Sequence, residues 1–172
     1  MYTLNAHPHA ALPRSPIHLA IKDCRRQTLA LIDDLSTKEL RAQAHPDFSP
    51  IGWHLGHIAY TESLWILEQL AEQPTLFPQH SQLFAADGSP KEQRQNLPTL
   101  TDLLAYLSVV REATLTYLET RDQTQLPEDE LRLWHWLIQH ESQHLETMWM
   151  LLTLNRLNSE LPRHKSAQQS QI

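Results

Sequence analysis

Cysteine, glycine, basic charge and long apolar runs are all scarce in this 172-residue chain, and each scarcity excludes something. The single Cys24 cannot form an internal disulfide, which agrees with a reducing compartment. Lys and Arg number 14 against 20 Asp and Glu, a net charge of -6, so a nucleic-acid partner would bind against the field of the whole protein. The longest uninterrupted apolar run, Met148 to Leu152, falls far short of the ~20 residues a membrane span needs. Met1 to Arg14 carries prolines and no apolar core segment, unlike a secretory signal. These absences predict a soluble, cytoplasmic protein without nucleic-acid or membrane partners. Strand signals are missing too: Asp87-Gly88 is the one hairpin candidate, and its flanks do not alternate. With 41% apolar and 20% charged residues, the chain has the balance of one globular domain.

Proline and histidine, by contrast, are plentiful, with 11 of each. Proline clashes inside a helix and removes a donor, so its positions mark where helices cannot run. The Pro-free windows are 17–45, 51–73, 99–126 and 128–161. Ser15-Pro16 and Ser49-Pro50 read as cap followed by first-turn proline. Thr99 or Thr101 can cap the third window, and Glu128, Asp129 and Glu130 place negative charge on the first turn of the fourth. Apolar positions recur at helical spacing: Ile17, Ile21, Cys24, Thr28, Leu31 and Leu35; then Trp53, Tyr60, Leu64 and Leu67. Leu100, Leu104, Leu107, Thr114 and Leu118 follow, and finally Leu133, Leu137, Met148 and Leu151. The spacing predicts an all-α fold, a four-helix bundle over 15–161 between a flexible segment at 1–14 and a flexible tail at 162–172. The connection between helices 2 and 3, about Gln73 to Pro98, is long and carries four prolines, a length typical of functional or crossover loops.

Most of the histidines need no special account. His7, His9, His45, His80 and His164 fall in expected loops or tails, His18 on the rim of the first helix, and His135 away from the main stripe of the fourth. His140 and His144 differ, being four residues apart on one helical face, the face that carries Leu137 and Met148. Unpaired imidazole nitrogens on a core face would cost roughly 1–3 kcal/mol apiece. A shared metal ion satisfies both, and His57, between Trp53 and Tyr60 on the inward stripe of the second helix, offers a third ligand. His54 competes for that place, but Trp53, His57, Tyr60 and Leu64 form the more continuous stripe. Gly52 and Gly56, also four apart, provide a smooth face for a ligand or for simple helix packing. Three imidazoles suit iron, zinc, nickel and copper alike.

His140-Glu141-Ser142-Gln143-His144 also reads as H-E-x-x-H, the zinc-protease signature with Glu as general base. The longer form of that motif needs Gly and His where this chain has Thr147 and Met150, and there is no sheet to hold an extended peptide.

Two segments resemble a known family. Ser49-Pro50-Ile51-Gly52-Trp53-His54-Leu55-Gly56-His57-Ile58-Ala59 with Glu62-Ser63-Leu64-Trp65, and His140 through Met148, are similar to the signatures of DinB-like domains at the N-terminus of ergothioneine-type sulfoxide synthases. The likeness continues through Leu83-Phe84 and Leu97-Pro98-Thr99-Leu100. It implies a bundle in which His57, His140 and His144 hold a non-haem iron, Fe(II), with zinc or nickel as alternatives. Gln143 matches a position near the bound substrate; Glu141, Tyr60 and Arg94 complete the residues expected behind the ligands or against the substrate. The wider superfamily includes metal-dependent thiol transferases, which implies a small-molecule thiol or related metabolite as substrate. Complete synthases continue into a second domain, and their long loop is Arg-rich, whereas only Lys91 and Arg94 stand here. The expectations are therefore a metal-dependent enzyme on a small thiol, a non-catalytic or partner-dependent subunit of a split synthase-like enzyme with a separately encoded partner domain, or a structural or regulatory bundle without turnover; a homodimer is a separate expectation.

Overall fold

A computed structural model describes residues 15–160, so the segments expected to be flexible, 1–14 and 162–172, lie outside the described residues. Among these the chain is helical, with no strand. The elements are α1 (Pro16–Ile32), α2 (Thr37–Arg41), α3 (Ile51–Glu62), α4 (Ser81–Phe84), α5 (Leu100–Glu119) and α6 (Glu128–Glu160). α3 runs on without a break into a π-helix, Ser63–Leu70, and the long connection is punctuated by single 3-10 turns at Pro78–His80 and Lys91–Gln93. α3 packs between α5 and α6, α1 lies along α6, and α2 braces α3.

Local signals explain most boundaries. The Ser15 hydroxyl accepts from the His18 amide, capping α1 ahead of Pro16. Thr99, rather than Thr101, caps α5 through a reciprocal box with Asp102. The first window is not one helix. α1 stops at Ile32, and Ser36 with Glu39 forms a capping box that starts α2, a stop and restart that no proline marks. Ser49 does not cap α3; its hydroxyl accepts from Arg94 instead.

The second helix departs from the amphipathic expectation. Ile51 through Ala59 are all buried, because α3 is the central element rather than one wall. In α5 the buried line is Leu103, Tyr106, Leu107, Val110, Thr114 and Leu118, which leaves Leu104 exposed. His18, expected on a rim, is buried. The π-helix closes with Ala71 N–H donating to the Ile66 carbonyl, five residues back. Glu72 then takes the left-handed conformation, φ 52°, where the sequence offers no glycine.

Gly52 and Gly56 make packing grooves. A methyl group on Gly52 would lie 2.7 Å from a Leu97 methyl, and one on Gly56 would collide with the Phe84 ring. The long connection is thus docked into the central helix, with Phe84 fully buried.

Candidate metal centre

Two helices bring three imidazoles together. His57 Nε2, from α3, lies 3.3 Å from His140 Nε2 of α6, and His144 Nε2, one turn further along, lies 3.1 Å from His140 Nε2. One ring nitrogen from each of the three falls within 4.8 Å of the other two. The deepest line of α6 is Trp134, Leu137, Glu141, Met148 and Leu151; His140 and His144 sit one notch aside, half-buried. His140, but not His144, borders a cleft of about 270 Å³, lined among others by His57, Tyr60, Trp65, Asp87 and Trp136.

The orientation of His57 is fixed from behind. Its Nδ1 is 2.7 Å from the Phe84 carbonyl, an oxygen that can only accept, so Nδ1 carries the ring proton and Nε2 keeps a free lone pair. Trp53 stacks flat on the same ring, with centroids 4.7 Å apart and an interplanar angle of 11°, and its indole N–H donates to the Leu83 carbonyl. Arg94 covers the Trp53 ring at 4.1 Å. The guanidinium itself donates to Ser49 and to the carbonyls of Ser89 and Ala86. Arg94 is therefore buried and occupied in holding the loop and covering Trp53, a place behind the ligand His57.

Burial keeps the cluster neutral. It pushes His140 down to about 4, with the neighbouring His57 acting in the same direction. It pushes His144 to about 2 and lowers His57, where the Phe84 hydrogen bond opposes the trend. At neutral pH three uncharged rings thus turn nitrogens toward one point. Each neutral ring can offer one Nε2 lone pair to a cation, and the three Nε2 atoms lie close enough to share one, so these residues fit a divalent metal held on one face with the other positions open. Burial also raises the Tyr60 hydroxyl, which stays protonated and able to donate beside the cleft. Gln143 is exposed.

Glu141 points elsewhere. Its carboxylate takes Arg25 Nε at 2.7 Å and Arg111 Nη2 at 2.6 Å. Glu62 completes a buried quartet through Arg25 at 2.9 Å and Arg111 at 2.8 Å. Burial alone would raise the Glu141 carboxyl, but the two guanidiniums more than offset it and hold it below its ordinary value. A carboxylate bound by two arginines is not free to act as general base, and the protease reading of H-E-x-x-H fails on that geometry.

Sequence reasoning named Glu141 but not its partners Arg25, Arg111 and Glu62 as a cluster, and it set His54 second to His57. The signal for the quartet was present: Arg111 stands between Leu107 and Thr114, Glu141 between Leu137 and Met148, each a charge on a core position of its stripe. His54 is buried rather than turned away, with its Nδ1 2.8 Å from His144 Nδ1.

Comparison with known proteins agrees with this architecture. The family model of the DinB superfamily matches residues 20–148. The chain is 35% identical over 154 residues to a hercynine oxygenase of Mycolicibacterium thermoresistibile, covering 87% of this chain and 32% of that protein. It is 37% identical over 135 residues to the hercynine oxygenase of Mycolicibacterium smegmatis, with 76% and 30% covered. The figure for that of Mycobacterium tuberculosis is 37% over 147 residues, with 81% and 33% covered. The chain thus spans about a third of the length of these curated relatives.

Proposed function

Because this chain belongs to the DinB superfamily, we propose that it is a metal-binding domain in which His57, His140 and His144 hold one divalent ion, iron(II) by resemblance. Its substrate is a low-molecular-weight thiol or related metabolite, and hercynine, which the names of the relatives carry, is the first small molecule to try beside it. The observation that carries this reading is the convergence of three neutral imidazole nitrogens within 4.8 Å beside a cleft.

When bound, such a metal supplies Lewis acidity that eases deprotonation of a coordinated thiol and, if it is iron, one-electron chemistry. The protein's own share is positional. Phe84 and Trp53 fix the ring of His57; Trp136, stacked on His140 at 5.2 Å, and Trp65 line the cleft. Tyr60 offers a hydroxyl donor to a substrate there. Glu141 and Arg94 act only through the helices and loop they brace.

A second reading, a domain that turns over only with further polypeptide supplied in cis or by a partner, is favoured by a specific observation. The chain spans a third of its relatives, and Trp65 and Trp136 stand 43% and 39% exposed at the cleft. Anaerobic loading with iron(II) and elemental analysis test the site: about one metal per chain is expected, lost in His57→Ala, His140→Ala and His144→Ala. A wild-type chain without stoichiometric metal refutes it. Turnover of hercynine with small thiols by the chain alone, abolished in His144→Ala, separates the enzyme from the dependent domain.

A further inference from the structure

His54 and His144 face each other through like atoms, Nδ1 to Nδ1 at 2.8 Å. Two lone pairs at that distance repel and two N–H groups collide, so one proton lies between them. The tautomers of the two rings are consequently coupled. If His144 donates, its Nδ1 carries the proton and its Nε2 turns a lone pair toward His140 and His57. If His54 donates, His144 must carry its proton on Nε2, where it would block a metal. Interconversion moves one proton from nitrogen to nitrogen within each neutral ring and changes neither the charge nor the proton count.

We infer that His54 is a positioning residue: as the acceptor of the His144 Nδ1–H it selects the tautomer that frees His144 Nε2 for the metal. This rests on the three-His reading above and extends it by a fourth imidazole. The surroundings hold His54 to that task. It is buried at 6% exposure, and Trp53 packs edge-on against it, with centroids 5.4 Å apart, while stacking flat on His57. One indole therefore sets the angle between an orienting ring and a ligand ring. The arrangement parallels that at His57, whose Nδ1–H is taken by the Phe84 carbonyl. Outer hydrogen bonds of this kind fix ligand tautomers, and their loss typically costs roughly 10- to 100-fold in metal affinity.

The test uses the full chain, zinc(II) as the probe metal and 15N-labelled histidine. Long-range 1H–15N spectra of the zinc-loaded protein should show His144 protonated at Nδ1 and His54 at Nε2. Competition with a chromophoric chelator should give a roughly 10- to 100-fold loss of zinc affinity in His54→Leu. His54→Asp, whose carboxylate can accept the same proton, should restore affinity to within a few-fold and recover the Nδ1–H signal of His144. Wild-type affinity in His54→Leu, a loss that His54→Asp fails to restore, or His144 protonated at Nε2 in the loaded protein overturns the assignment. The spectra need no variant, so they decide the matter even if His54→Leu does not fold. A wild-type chain that binds no zinc overturns the three-His reading and this one with it, whereas zinc binding indifferent to His54→Leu overturns this one alone.

Discussion

Two polar clusters both draw residues from α3 and α6, and they differ in whether their valences close. The quartet of Arg25, Arg111, Glu62 and Glu141 carries two charges of each sign, and its guanidiniums also donate to the Leu107 and Ile21 carbonyls. It closes on itself and joins α1, α3, α5 and α6. The histidine cluster is held neutral by burial, and one nitrogen from each of its three rings falls within 4.8 Å of the other two, with no counter-charge among them. A closed cluster is structural, since any ligand would have to displace a partner already in place. An open one is incomplete without a ligand, and its chemistry says which kind. Glu141 and His140 are adjacent in sequence yet serve opposite clusters, because 100° of helical turn separates them.

The largest expected effect lies in the closed cluster. Glu141→Ala leaves two buried guanidiniums short of one counter-charge, and chemical denaturation of the metal-free protein should show a loss of about 3–5 kcal/mol. An effect below about 1 kcal/mol would mean that water reaches the quartet and that it is not closed. The open cluster should answer to metal instead. At a hundredfold excess over its Kd, zinc should add about 2.7 kcal/mol to wild-type stability and nothing to His57→Ala. Equal stabilisation of the two proteins would place the ion elsewhere.

Gly56→Ala probes the brace behind the site. Its methyl group must displace the Phe84 ring, for about 1–3 kcal/mol, and should weaken zinc binding as well, because Phe84 carries the acceptor of His57. Stability lost with zinc affinity unchanged would separate the loop from the site. Protons give an effect that is small near neutrality and grows as the pH falls. Unfolded histidines take up a proton near pH 6.5. In the folded protein burial keeps His140 neutral down to about 4, and His54 and His144 to about 3 and 2. The unfolded chain thus binds more protons in that interval, so metal-free stability should be full above pH 6.5 and decline as the pH falls toward 4. Thermal melts between pH 7.5 and 5 check the sign; a rise in stability on acidification would contradict the neutral cluster.

The fold was legible where local chemistry decides it. Ser15-Pro16 and Thr99 with Asp102 start helices where the sequence says they do, and proline spacing outlines the long elements. It was illegible where tertiary packing decides. The Ser36-x-x-Glu39 capping box is a local restart signal that reading by proline alone overlooks, whereas no residue announces a π-helix after Glu62. For the candidate site, the meeting of His140, His144 and His57 follows from an i, i+4 pair and an inward stripe. The part of His54 does not, because three residues of helical offset leave open whether a ring turns toward a ligand or toward the site itself. For Arg94 the sequence left two places open, behind the ligands or against the substrate, and only its acceptors, two backbone carbonyls and the Ser49 hydroxyl, show it bound into the loop.

The hydrogen bond from His57 to Phe84 has a consequence for how this site will look to genetics. Its acceptor is main chain, so no side-chain replacement at position 84 deletes the oxygen. Alanine scanning would register the loop as a source of hydrophobic contacts and miss its part in holding an imidazole. The dependence should surface in changes of chain path, such as a residue inserted or removed between Ser81 and Ser89, which swing the carbonyl away while every named side chain survives.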